Sequence, residues 1–364
     1  MLRPLFNQMA FSTTVTSGLE LIKRLQKWSS NNLRSSTILC TIDVSDLYTV
    51  IPHVEGVLSL KSMLDHLKLK KVNNVRTEAI LRLARFVMKN NYFKYNGQYY
   101  HQVRGGAMGS PLALTIANCY MFFYEQNIIR QVTNSLGLYL RFIDDIFIIV
   151  NWPQRHLSKE VDRWNTFDAN IKLSAKIGLH ANFLDAHIEN KNGQLFTCVY
   201  HKPSYEPYYL PLNSIHPLRM KKNIPFAMLL RALRYCSTFE SYLKERDNLR
   251  MVLILNHYPI QFIDQQFNYM FGKFNVKQAI TSINYQQVRE QIINSAVKVK
   301  EPIDYGHQMF IHFTYCSSMR SFPKKFHTLW NEYFSESPIN DVSPILGTRN
   351  VKNLQRRLVE TRDT

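Results

Sequence analysis

The sequence predicts an α+β chain in which an antiparallel sheet backed by helices gives way to a mainly helical second half. Apolar, β-rich runs at 37–44 and 138–150 each carry aspartates, and amphipathic segments at 54–67 and 77–89 repeat apolar residues at helical spacing. Beyond Pro203 the pattern shifts to helices.

Residues 1–28 read as helical from the spacing of Leu19, Leu21, Ile22 and Leu25, with Lys23, Arg24 and Lys27 on a solvated face. The strand at 37–44 breaks at Ser45-Asp46, and two helices follow at 54–67 and 77–89. A hairpin at 92–101 turns at Asn96-Gly97, residues that tolerate positive φ. Gly105, Gly106 and Gly109 form a glycine-dense turn that lets backbone approach a nucleotide or base pair closely. Ser110 as cap and Pro111 at the first helical position then start a helix over 112–132. A hairpin at 138–150, a helix at 157–173, and strands at 182–189 and 194–200 joined through Asn192-Gly193 complete the first half. Helices at 228–239, 239–255 and 260–271 follow, with Pro217, Pro225 and Pro259 as breaks and a linker at 336–348.

Asp144 and Asp145 stand inside the apolar run 139–150. Two adjacent carboxylates there cost several kcal/mol to desolvate unless they turn outward at a hairpin tip or bind a cation. Asp43 ends the strand 37–44, so neighbouring strands would bring it beside the pair. These are hard oxygen donors without a His or Cys cluster, a set that suits magnesium or manganese better than zinc.

The order strand-Asp, glycine turn with Ser-Pro and helix, then Asp-Asp hairpin resembles the palm of reverse transcriptases, and within them the Penelope-like element group. The resemblance rests on Asp43-Val44-Ser45-Asp46-Leu47-Tyr48-Thr49 with Ile51-Pro52, on Gly106-Ala107-Met108-Gly109-Ser110-Pro111-Leu112 with Ala117-Asn118, and on Arg141-Phe142-Ile143-Asp144-Asp145-Ile146-Phe147. Phe183-Leu184-Asp185, Val199-Tyr200-His201-Lys202-Pro203-Ser204, Ser214-Ile215-His216-Pro217 and Arg349-Asn350-Val351-Lys352-Asn353-Leu354 with Leu358-Val359 extend it to about residue 360. It implies a fingers remnant at 1–36, a palm at 37–202 and a helical thumb with a C-terminal segment at 203–364.

The activity it implies is RNA-directed DNA polymerisation by a mobile element: deoxynucleotides join a DNA primer 3′-end on an RNA template. Two magnesium or manganese ions per site would be held by Asp43, Asp144, Asp145 and the Val44 carbonyl. Tyr48 would either gate the sugar 2′-position or pack under the sheet. Gly106, Met108, Gly109, Ser110 and Pro111 would line the nucleotide site, with Lys172 and Lys176 near the leaving group or simply solvated. Tyr200, His201 and Lys202 would grip the primer end, and Lys221, Lys222, Arg231 and Arg234 would contact phosphates or coat the helices. Gly105 stands where many relatives carry Gln, leaving Gln102 as the nearby amide. Val50 replaces an Asn and Phe142 a Tyr.

The family's fingers would precede Asp43 and its GIY-YIG nuclease would follow. The expectation is therefore a shortened or nuclease-lacking member, extending primers weakly or not at all without fingers. The alternative is a remnant that only binds nucleic acid, and a telomere-related role is a third reading.

Lysine and arginine outnumber aspartate and glutamate by 45 to 27, a net charge of +18 that suits a phosphate-rich partner. Residues 1–200 carry 23 basic and 14 acidic side chains and 201–364 carry 22 and 13, so each half is +9. The five cysteines lack metal spacing and read as reduced, buried thiols. Cys198, His201 and His216 lack a fourth ligand for zinc. No apolar stretch approaches the roughly 20 residues needed to span a bilayer, so an intracellular, nuclear location is expected from a chromosomal substrate.

Overall fold

A computed structural model describes residues 2–204, 206–295, 308–319 and 321–349; the segment 350–359 that shares in the resemblance lies outside them. The chain divides into two units, Met1–Pro203 with Arg234–Ser241, and Ser204–Leu233 with Tyr242–Thr364.

In the first unit, helices α1 (Leu2–Met9) and α2 (Gly18–Asn32) lead into strand β1 (Ile38–Val44). Ser17 caps α2 by accepting from the Glu20 N–H, and Leu21, Ile22, Leu25 and Trp28 form its buried stripe. Short α3 (Leu47–Val50), α4 (His53–His66), the small strands β2 (Lys71–Val72) and β3 (Val75–Arg76), and α5 (Thr77–Lys89) follow. Next comes the hairpin β4 (Tyr92–Tyr95) and β5 (Gln98–His101), whose Asn96 and Gly97 take φ of 48° and 77° as its turn requires. Helices α6 (Pro111–Tyr124) and α7 (Gln126–Asn134) precede β6 (Leu138–Phe142), β7 (Asp145–Val150) and α8 (Gln154–Trp164). Strands β8 (Leu173–Gly178), β9 (His180–Phe183), β10 (Ala186–Lys191) and β11 (Gln194–Val199) complete the set.

The central sheet runs β6-β7-β1-β8, all neighbours antiparallel, and a second sheet runs β11-β10-β9. Alternation along β1 turns Ile38, Cys40, Ile42 and Val44 onto one face, where they pack with Met121, Ile128, Val132, Leu157, Val161 and Trp164 from α6, α7 and α8. Each fully buried aliphatic side chain there contributes roughly 1.5–3 kcal/mol. On the opposite face Phe147 of β7 meets Phe183 of β9 with ring centroids 5.3 Å apart. The second sheet therefore covers part of that face and leaves the strand ends carrying the aspartates open.

The second unit takes in most of α9 (Leu218–Tyr235) and α10 (Phe239–Leu255), then α11 (Ile260–Lys273), α12 (Tyr285–Asn294), β12 (Gln308–Thr314), α13 (Phe322–Phe334) and β13 (Ser343–Arg349). Asn256 fastens its entry segment, donating to the Pro207 carbonyl at 2.9 Å and accepting from the Tyr209 N–H at 3.1 Å.

Five sequence expectations are corrected. The helix expected over 112–132 divides at Glu125, whose carboxylate turns inward to a buried partner. The helix expected over 157–173 ends at Trp164. Asn165 then closes the loop by bonding both the N–H and the carbonyl of Leu173, and 173–178 is a strand. The strand expected over 182–189 splits in two because Leu184 takes φ of 55°. Pro225 lies inside α9 instead of ending it; the Lys221 carbonyl that loses its helical donor faces the Tyr258 hydroxyl at 3.5 Å. The expected linker at 336–348 contains β13, paired in parallel with β12.

Candidate active site

The antiparallel register of β1 and β7 places Asp43 directly opposite Asp145, and Ser174 of β8 flanks Asp43 on its other side. The Val44 N–H donates to the Asp144 carbonyl at 3.1 Å, which fixes the β6-β7 turn against the end of β1. Val44 itself turns its side chain into the core. The register thus brings Asp43 to the same end of the central strands as Asp144 and Asp145, which lie far from it in sequence.

The turn is strained. Phe142 pairs with Asp145, leaving Ile143 and Asp144 as a two-residue loop, and Ile143 takes φ of 59° where such turns favour glycine. The buried Arg141 holds this conformation. Its guanidinium donates to the Ile143 carbonyl at 2.8 Å, to Asn118 Oδ1 at 2.7 Å and to Glu125 Oε2 at 2.6 Å. Tyr139 donates to the same carboxylate at 2.8 Å, and both members of the Arg141–Glu125 pair are 0% exposed. Burial pushes the Glu125 carboxyl up, against the pull of Arg141 and Tyr139.

Asp43 and Asp145 line a cavity of about 670 Å³ between the two sheets, with Ser174, Lys176, His180, Asn182, Tyr200 and Lys202. Burial raises the Asp145 carboxyl, the charges of Asp144 and Asp43 raise it further, and Lys202 opposes them. A cation would relieve that mutual repulsion, and the oxygen-only donors fit a hard divalent ion. Among the described residues, however, no three His, Cys, Asp or Glu side chains form a ready-made metal cage.

Tyr48 on α3 is half-buried against the core, and burial followed by the Asp144 charge raises its hydroxyl, so its ring lies within electrostatic reach of the turn. The glycine turn is stitched to the same segment. Gly106 N–H donates to the Tyr48 carbonyl at 2.7 Å, Gly105 N–H to the Ile51 carbonyl at 2.9 Å, and Arg104 Nε to the Val50 carbonyl at 2.7 Å. A Cβ on Gly105 would meet the Tyr48 oxygen at 2.3 Å, so no side chain fits there. Ser110 caps α6 and Pro111 is its first residue, as expected, while Met108 is 82% exposed and Gly109 takes φ of 89°. Gln102 points elsewhere, bonded to Asn91.

Lys176 and Lys202 reach the cavity, as does Tyr200; Lys172 is exposed and does not line it, and its carbonyl accepts from the Ser45 N–H. Lys221 is not available to phosphate. It is 8% exposed, and its ammonium donates to the Leu212 carbonyl at 2.6 Å and to that of Ser214. Lys222 is exposed, and Arg231 and Arg234 are half-buried. Cys40, Cys119 and Cys236 are buried thiols, but Cys316 is exposed. Neither Arg141 nor Glu125 was singled out as a site residue in sequence; a charge at Arg141 inside an apolar run was the available signal, whereas Glu125, at the break between α6 and α7, carried none.

The telomerase of Candida albicans, solved with the TWJ fragment of telomeric RNA, superposes with a TM-score of 0.52 at 10% identity, over 82% of this chain and 53% of that one. Its fold is a polymerase palm and thumb. The telomerase of Candida tropicalis, also solved with a TWJ fragment, gives 0.46 at 13% identity over 81% and 56% of the two chains. The RNA-dependent RNA polymerase of a human picobirnavirus gives 0.43 at 11% identity over 78% and 54%. The assignment of fold rests on the first. The chain spans about half the length of the telomerase it matches. A family model described as an animal helix-turn-helix domain matches residues 208–268. No curated protein matches the chain, and among the described residues no helix is long and apolar enough to cross a membrane.

Proposed function

We propose that the chain is an RNA-directed DNA polymerase of the Penelope-like kind, adding deoxynucleotides to a DNA primer on an RNA template. The observation that carries this reading is the Asp43–Asp145 register, with Asp144 on the adjoining turn, at the mouth of a cavity lined by Lys176 and Lys202. Asp43, Asp144 and Asp145 would hold two magnesium or manganese ions, which supply an activated primer hydroxyl and charge stabilisation at the phosphates. Lys176 and Lys202 neutralise triphosphate charge beside them, and Lys172 supplies a further exposed cation. Tyr48 crowds the sugar 2′-position from α3, on a backbone held by Gly105 and Gly106. Met108, Gly109, Ser110 and Pro111 border the nucleotide, and Tyr200 and His201 meet the primer end. Lys222, Arg231 and Arg234 contact phosphates. A chromosomal substrate places this activity in the nucleus.

The helix-turn-helix likeness at 208–268 favours one second reading, nucleic-acid binding without catalysis. Primer extension separates the two. On an RNA template with labelled deoxynucleotide and magnesium or manganese, weak incorporation is expected, falling to background in Asp144→Asn. Equal incorporation by the two proteins sinks the catalytic assignment, and oligonucleotide binding with no incorporation by either returns the second reading.

A further inference from the structure

The even division of charge between the halves conceals a local asymmetry. From Lys68 to Arg104 there are nine lysines and arginines and one acidic residue, Glu78. All nine basic side chains are exposed. They lie on and around α5 and the β4-β5 hairpin that follows it.

That hairpin is the most aromatic exposed surface of the first unit. All eight of its strand residues are exposed. Tyr92, Phe93, Tyr95, Tyr99 and Tyr100 are 60%, 50%, 70%, 76% and 42% accessible. The rings are ordered against one another: Tyr92 stacks on His101 with centroids 4.7 Å apart, and Phe93 on Tyr100 at 5.6 Å. The register puts Tyr92, Lys94, Tyr99 and His101 on one face and Phe93, Tyr95, Gln98 and Tyr100 on the other. The base of the ribbon is fastened to the end of α5, where Gln102 N–H donates to the Asn91 carbonyl at 2.8 Å and His101 Nε2 bonds the Lys89 carbonyl at 2.5 Å.

A two-stranded ribbon with no buried face is marginal in water, and exposed aromatic patches of this extent mark interaction sites. Aromatic faces interleaved with cations, and almost free of carboxylates, match the needs of unpaired nucleotides: bases stack on the rings while the cations follow the phosphates. We propose that the β4-β5 hairpin and the basic face of α5 form a docking surface for single-stranded RNA, separate from the cavity lined by Asp43 and Asp145. The stacking surface stands on the hairpin alone; the choice of RNA over DNA rests on the template assigned above. Leu83, Phe86 and Val87 are also exposed on α5, which makes a protein partner the competing occupant.

Fluorescence anisotropy with labelled oligouridine, in EDTA, tests the surface without any catalysis. The double variant Tyr95→Ala/Tyr99→Ala removes the two most exposed rings of the hairpin, and is expected to weaken binding about tenfold with an unchanged salt slope. Replacing Arg82, Arg85 and Lys89 by Gln is expected to flatten the slope by roughly 0.7 for each phosphate no longer neutralised. Tyr333→Ala, an equally exposed aromatic in the second unit, and Asp144→Asn are expected to bind as wild type. Unchanged affinity in the hairpin variant overturns the proposal and assigns the surface to protein. An equal loss for duplex RNA overturns single-strand recognition, and equal or tighter binding of oligodeoxyuridine overturns the choice of RNA. Loss of extension in Asp144→Asn with this binding intact separates the fate of the two assignments.

Discussion

Ile143 carries a cost of order 1–3 kcal/mol for a β-branched residue at positive φ, and that cost falls on the turn bearing Asp144. The surroundings must over-determine the turn for it to persist, and Arg141 does so by bonding the Ile143 carbonyl while its own charge is met by Glu125. Removing one partner of such a pair leaves an uncompensated charge in the core. Arg141→Met is therefore expected to cost about 3–5 kcal/mol in urea denaturation. Adding Glu125→Leu removes the stranded carboxylate and is expected to recover most of that loss, because an apolar pair of similar volume replaces a desolvated ionic one. A double variant as unstable as the single would show that the carboxylate is not what Arg141 compensates.

The glycine turn and α3 act as one piece, since each of Arg104, Gly105 and Gly106 bonds a carbonyl between Tyr48 and Ile51. Gly105→Ala would drive a methyl into the Tyr48 carbonyl and Thr49 Cα, at a φ of 70°. The expected loss is about 2 kcal/mol or more in thermal denaturation. Gly109→Ala meets nothing within 4 Å and is expected to lose only about 1 kcal/mol, from its φ alone. Turn chemistry of this kind is local, which is why Asn96-Gly97, Asn192-Gly193 and the Ser110-Pro111 start were readable in sequence. Strand β8 was missed although Lys172, Ser174 and Lys176 alternate with Leu173, Ala175 and Ile177 at strand period, because its partner β1 lies some 130 positions earlier and no local turn ties the two together. The three aspartates were readable from composition and order, whereas the inward turn of Glu125 and the commitment of Lys221 to two carbonyls depend on contacts that only folding creates.

Across the full chain the charge of +18 sets how strongly polyanions are attracted, but its distribution decides which cations do the work. At about 0.1 M salt the screening length is about 10 Å, so an exposed cluster acts largely on its own and distant charges add little. Arg82, Arg85 and Lys89, exposed along one face of α5, form such a cluster, whereas Arg155, Lys159 and Lys325 do not belong to it. Oligonucleotide affinity is expected to fall linearly on a log–log plot against salt, and glutamine at Arg82, Arg85 and Lys89 is expected to flatten that line. Glutamine at Arg155, Lys159 and Lys325, an equal change in net charge, is expected to leave the slope near its original value. Lys221→Met supplies the complementary control. It removes a charge already spent on the Leu212 and Ser214 carbonyls, so stability should fall while the slope stays as it was. If all three changes flatten the line alike, attraction follows net charge alone and no patch is privileged; a response confined to the first locates the phosphate contacts on α5.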